Sequence, residues 1–484
     1  MAITSDRILI DGQHLSCADV IRAARRATSV ELDATARKRA DETYVLARDI
    51  GEKRAVYGRT TGVGANRHEV VDPDSADQHG LRLLSSHAGG TGELLPAATV
   101  RAILLIRLNQ LAAAGSGVHP RLLDALEESL HTGALPRVHS RGAIGTGDLS
   151  SLAEIGLTLA GRQPWAEGGL TAVPISPGDA LAFISSNAVT LAKSVMVWHD
   201  LKELLHASHL VAALSHCALD GSPEALSERV HAQRPHPGSM RCATEMRRVL
   251  WADGEPQPGR RLQDPFGLRA FPQVQGPALD ALDALEQVLT TDLNAAAENP
   301  LIDLKTENVY HHGHFSTAYL ALTLDHLRAA LHHVAELSAA RLSNLVEPNL
   351  TGLSPFLSAG PPGSSGIMIL EYVTHDALSQ LRHAASPVTL GTAVISRGLE
   401  DHASFSAQAA HSTSAAVTAY RTVLACELLG AVRALRLRGN ELPQAPVAEA
   451  FRIAGKSLPM VAEDHPLTDE IALAEGVIDA LSAL

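Results

Sequence analysis

Apolar residues recur at helical spacing over much of this chain. Between 316 and 346 they fall at Leu320, Leu324, Leu327, Leu331, Val334 and Leu337, with no proline in the run. That period marks one face of a helix, roughly 45 Å long at 1.5 Å per residue. Similar patterns predict helices near 188–215, 277–296, 366–385 and 403–437. A shorter one over 97–114 carries Val100, Ile103, Leu104, Leu108 and Leu111. Ala18 to Arg26 begins another, and residues 149–160 read as a helix after a glycine-rich turn. Residues 7–14 read as a short strand and turn. Residues 57–64 and 85–93 read as Gly- and Thr-rich loops. The stretch 162–180, with Pro164, Pro174 and Pro177, reads as an excursion of short strands. The predicted fold is mainly α: an elongated bundle of long helices (206–484) behind a mixed α/β, loop-bearing N-terminal domain (1–205). Helices this long seldom bury all their faces within one subunit, so an oligomer is expected.

Composition sharpens the picture. The 484 residues are 45% hydrophobic and only 3% aromatic, as expected where Leu and Ala fill helix interfaces. A net charge of −13 argues against nonspecific nucleic-acid binding and against an anionic membrane surface. No window approaches 18 uninterrupted apolar residues, so no transmembrane helix is expected. Met1 to Gly12 lacks the basic and apolar regions of a secretory signal, and a cytoplasmic protein is expected. Cys17, Cys217, Cys242 and Cys426 show no CxxC spacing and read as separate reduced thiols.

The candidate chemistry centres on Arg141-Gly142-Ala143-Ile144-Gly145-Thr146-Gly147-Asp148-Leu149. A hydroxyl residue held between glycines can act as a nucleophile, sit beside an anion, or let the backbone cyclise. Cyclisation needs glycine after the hydroxyl residue, because its nitrogen must reach the carbonyl two residues back. Dehydration then leaves an electrophilic alkene. A helix N-terminus with Asp148 near the cap is the plainer reading of the same residues. The run His311-His312-Gly313-His314 lacks metalloprotease spacing, and His332-His333 occupy adjacent helix positions that face different ways. No metal site is expected.

Several segments, in order, resemble the histidine and aromatic amino-acid ammonia-lyase family. They are Tyr57-Gly58-Arg59-Thr60-Thr61-Gly62-Val63-Gly64, Ser86-His87-Ala88-Gly89-Gly90-Thr91-Gly92, the Gly147-Asp148-Leu149 loop, and Gln263-Asp264-Pro265-Phe266-Gly267-Leu268-Arg269 with Pro272-Gln273-Val274-Gln275-Gly276. Glu298-Asn299-Pro300-Leu301, Gly366-Ile367-Met368 and Glu400-Asp401-His402 follow. The resemblance implies a homotetramer whose active sites draw loops from three subunits. It also implies a protein-derived methylidene-imidazolone ring, here from Gly145-Thr146-Gly147 in place of the family's Ala-Ser-Gly. A ring built from threonine carries an extra methyl at the carbon that the substrate amine attacks. Loss of the alanine methyl is expected to be harmless to cyclisation.

By the same resemblance Tyr57 is the base, Arg269 holds the substrate carboxylate, and His87 and Glu400 read the substrate side chain. Ser185, Gln263, Phe266, His314 and Phe315 stand at further substrate-binding positions. Ser185 replaces an asparagine and Phe266 a tyrosine. The expected reaction is ammonia elimination from an aromatic amino acid, with histidine or a histidine-like substrate favoured. A 2,3-aminomutase, or a homologue without the ring that binds a ligand or catalyses another elimination, are the alternatives.

Overall fold

The computed structural model describes residues 7–25, 28–72, 76–252, 254–439, 441–461 and 463–484. Part of the segment read for a secretory signal, residues 1–6, therefore lies outside the described residues. The protein is mainly helical with a few short strand pairs. It divides into two compact units. One comprises 1–196, 286–322 and 387–411; the other comprises 197–285, 323–386 and 412–484. A single cut near 205 would assign 286–322 and 387–411 to the bundle. Compactness groups them with the first unit, because the chain returns to it twice.

In the first unit, Arg7–Ile10 pairs in parallel with Ser29–Leu32. Both strands alternate exposed or partly buried with buried residues, the period of a sheet with one covered face. Helix Ala34–Lys53 starts at Asp33, whose carboxylate accepts the Ala36 N–H, a standard N-cap. Helix Ala97–Ala112 is buried on nearly every side from Val100 onward. It includes all five apolar positions of the predicted helix, and such a helix belongs at the centre of a core. The expected loop at 85–93 is shorter than predicted. Helix Ala76–His87 runs through Ser86 and His87, and Thr91–Leu94 pairs antiparallel with His139–Arg141. The 162–180 excursion holds one strand, Trp165–Glu167, before helix Asp179–Ile184.

The long helices match their patterns. They span Ala188–Ala218, Phe271–Leu293, Ala318–Val346, Ile369–Ala384 and Ser406–Arg438. Within Ala318–Val346, Leu320, Leu324, Leu327, Leu331 and Val334 are buried and Leu337 is half-buried. The helix expected to begin at Pro277 begins at Phe271, with Pro277 inside it. The second unit is tied by the buried pair Arg341–Glu427, both ends of which are fully enclosed. Two helical stretches, Asp179–Ala218 (helices Asp179–Ile184 and Ala188–Ala218 together) and Ser406–Arg438, contain windows with the mean hydropathy of membrane spans, but 89% and 78% of those windows are buried inside the protein, as in core helices. All four cysteines are free thiols.

Candidate functional site

A cavity of about 520 Å³ opens within the first unit. Its wall includes Tyr57, Thr146, Ser185, Phe315 and Glu400 from the predicted set, together with Arg67, His68, Asn299, His311 and His312.

Tyr57 sits in a tight turn after helix Ala34–Lys53. Val56 N–H donates to Thr60 Oγ1 at 2.8 Å, and Thr60 N–H returns to Val56 O at 2.9 Å. Gly58 follows with φ +68°, where a β-carbon would collide with Leu181. This turn holds the phenol over the cavity, and its oxygen accepts the Gly64 N–H at 2.7 Å. Burial pushes the Tyr57 hydroxyl above its ordinary range. The Gly64 N–H and the Arg67 guanidinium pull it down, and Glu400 pushes it up. The net shift is upward, so the Gly64 N–H and the Arg67 charge offset only part of the cost of ionising this buried phenol.

Thr146 sits between Gly145 (φ +88°) and Gly147 (φ +114°), conformations that L side chains avoid. Asp148 is at the N-cap position of helix Leu149–Leu159 but does not cap it. Its buried carboxylate instead accepts Thr190 N–H at 2.7 Å and Thr190 Oγ1 at 2.8 Å, at the start of helix Ala188–Ala218. Burial raises the Asp148 carboxyl, and these bonds oppose that shift. The effect is to pin the loop to a second helix.

Ser185 ends helix Asp179–Ile184, and its Oγ accepts the Asn299 N–H at 3.1 Å. Asn187 Nδ2 donates to Phe315 O at 2.6 Å, which sets the Phe315 backbone. Glu400 is held by an antiparallel bridge to Ile395. Behind Asn299, the enclosed pair Arg107–Glu298 closes at 2.7 Å.

Other predicted residues lie elsewhere. His87 ends helix Ala76–His87, with Nδ1 donating to Leu83 O at 2.9 Å. A carbonyl only accepts, so Nδ1 carries the proton and Nε2 is left as an acceptor. His87 is not part of the cavity wall. Gln263, Phe266 and Arg269 belong to the second unit. There Arg269 lies over the Phe266 ring at 4.4 Å and donates to Asp264 O at 2.8 Å. The histidine run contributes through His311 and His312. His314 is exposed, and its N–H donates to His312 Nδ1 at 3.0 Å. Motif position pointed to His314, and only the turn shows which histidines face inward. His332 and His333 do not diverge as expected: their Nδ1 atoms reach Glu336 Oε2 at 3.6 and 3.0 Å. Two of these three residues are exposed.

A family model described as aromatic amino acid lyase matches residues 15–456. The chain belongs to the aromatic amino acid lyase family. A histidine ammonia-lyase from Treponema denticola is 32% identical, over 97% of this chain and 96% of that one. An ergothioneine-degrading enzyme from the same organism, solved with desmethyl-ergothioneine sulfonic acid, superposes with a TM-score of 0.93. Its identity is 28%, over 99% of each chain. A tyrosine aminomutase from Streptomyces globisporus gives a TM-score of 0.91 at 25% identity, over 98% of this chain and 97% of that one. This family member is a carbon–nitrogen lyase of the ammonia-lyase type.

The ring-forming segment of the family corresponds to Gly145-Thr146-Gly147, and its first position can be tested against the packing here. A β-carbon at 145 would lie 2.0 Å from Ser404 Oγ, so this loop admits glycine where the family has alanine. The missing methyl leaves its place to the Ser404 hydroxyl, which a larger residue would have to displace.

Proposed function

We propose that this lyase eliminates the α-amino nitrogen from histidine or a closely related imidazole-bearing amino acid. The observation that carries the reading is one cavity holding Tyr57, Thr146 and Glu400 together. When formed from Gly145-Thr146-Gly147, the ring supplies an electrophile that makes the amine a better leaving group.

The remaining work falls to side chains. Tyr57 takes the β-proton as a phenolate, favoured by the Gly64 N–H and Arg67. Glu400 accepts from the imidazole N–H of the substrate, and a site built for that bond discriminates against rings lacking it. Leu149, Leu181 and Phe315 supply apolar wall for the ring. The resemblance further suggests a homotetramer working in the cytoplasm, with Gln263, Phe266 and Arg269 of another copy completing the wall and binding the carboxylate.

One observation favours a second reading. The ergothioneine-degrading relative acts on a betaine whose nitrogen is already quaternary. Such a nitrogen departs without capture by an electrophile, so the elimination needs no ring. Thr146, in place of the family's serine, agrees with that chemistry.

The test is turnover of histidine, phenylalanine, tyrosine and ergothioneine by the purified enzyme, with free ammonia and trimethylamine measured separately. Ammonia from histidine supports the first reading, and trimethylamine alone supports the second. Glu400→Gln should lower kcat/KM for the imidazole substrate by about 10²-fold and for phenylalanine by less than tenfold. Equal losses would show that Glu400 does not read the ring.

A further inference from the structure

The segment Ser404–Gln408 grips the ring-forming loop at three successive carbonyls. Gln408 Nε2 donates to Ala143 O at 2.9 Å, Phe405 N–H to Ile144 O at 2.8 Å, and Ser404 Oγ to Gly145 O at 3.1 Å. Phe405 adopts φ +57°, a left-handed conformation that is strained for a non-glycine residue. With that backbone, the Phe405 N–H and the Ser404 hydroxyl engage neighbouring carbonyls.

Behind Ser404 lies a buried line of hydroxyls. Thr317 Oγ1 is 3.3 Å from Ser404 Oγ and 2.7 Å from Ser406 Oγ. Their relative exposures are 4% for Ser404, 0% for Ser406 and 7% for Thr317. Because Ser404 donates to a carbonyl, which can only accept, it must accept from Thr317. Thr317 in turn accepts from Ser406. The line therefore points its protons toward the Gly145 oxygen.

We infer that Ser404 drives closure of the ring at Gly145, with Thr317 and Ser406 as its proton line. The inference rests on the ring-bearing reading above. In closure, Gly147 nitrogen bonds to the Gly145 carbonyl carbon, and the carbonyl π pair moves to oxygen. Ser404, with Thr317 and Ser406 donating in line behind it, protonates that oxygen, and the proton that the Gly147 nitrogen gives up on closure restores the serine hydroxyl. The first water leaves with the Gly145 oxygen and the amide hydrogens of Gly147 and Thr146. The second leaves with the Thr146 hydroxyl and its α-hydrogen. No oxidant or co-reactant is consumed.

The place a methyl would occupy at 145 is filled by the hydroxyl that does this work. That accounts for glycine at a position where the family carries alanine.

The experiment is intact mass of the freshly synthesised full-length chain followed over time, with the mass change mapped to the peptide containing Thr146. The wild-type chain should lose two waters. Ser404→Ala should slow that loss about 10²- to 10³-fold, the usual effect of removing one oxyanion donor, with an unchanged circular dichroism spectrum. Thr317→Val keeps the Ser404 hydroxyl, breaks only the line behind it, and should slow the loss about tenfold. It also serves should the Ser404 variant misfold. Water loss at the wild-type rate in either folded variant overturns the assignment of Ser404 and its line while the ring reading stands. A wild-type chain that keeps both waters overturns the ring reading, and this inference falls with it.

Discussion

Among the described residues each compact unit encloses one arginine–glutamate pair, and the two pairs are finished differently. In the second unit Glu427 is saturated. It accepts from Arg341 Nε at 2.6 Å and Nη2 at 2.8 Å, from Ser215 Oγ at 2.7 Å and from Ser338 Oγ at 2.6 Å. Arg341 also donates to Gly267 O and stacks on Phe271. In the first unit Arg107 spreads its donors over Phe183 O, Ala182 O, Gln110 Oε1 and one Glu298 oxygen. The other oxygen, Glu298 Oε2, is buried without a hydrogen-bond partner, as is Asn187 Oδ1. Burial lowers Arg107 and raises Glu298. A closed network costs little to hold and specifies the core around it. An open one is expensive, and this one sits immediately behind Asn299, at the cavity wall. Buried polar atoms without a partner occur in both units, and Glu298 Oε2 and Asn187 Oδ1 are two that lie next to residues lining this cavity.

Removing one partner tests this contrast most severely. Glu427→Ala strands a buried guanidinium and two serine hydroxyls, and should cost about 3–5 kcal/mol in urea unfolding. A cost below about 1 kcal/mol would show that the second unit does not depend on its closed pair. Glu298→Gln should cost less, about 2 kcal/mol, because Arg107 keeps two backbone carbonyls and an amide oxygen. Its larger effect should be on turnover, since Glu298 supports Asn299. Equal unfolding costs for the two variants would remove the distinction between the networks.

The smallest effect concerns Asp292, also in the first unit. Its Oδ2 is buried without a hydrogen-bond partner, and burial pushes the carboxyl up to about 6. The folded state therefore holds this proton more tightly than the unfolded chain. Stability falls as pH rises from the ordinary carboxylate range, and the loss is complete above about 6. Asp292→Asn should gain about 1–2 kcal/mol above that pH and nothing below about 4, read from denaturation midpoints across pH. A gain independent of pH would point to packing in place of charge.

Much of the helical framework was legible because its signal is local. Apolar spacing in Ala318–Val346 and Ala97–Ala112 already reports which side is covered. The turn at 145–147 was legible for a similar reason, since glycines at positive φ are a property of the residues themselves. Tyr57, Thr146 and Glu400 could be nominated by resemblance, but their meeting in one cavity depends on the chain returning to the first unit at 286–322 and 387–411. No local pattern encodes that return. It also decided that His311 and His312 face inward while His314 does not, and that Asp148 serves the helix at 188 and not its own. Glycine at 145 is the clearest case. The sequence by itself determined that the turn could form; only the tertiary structure decided what a larger residue there would have to displace, because the atom in the way belongs to Ser404, far along the chain.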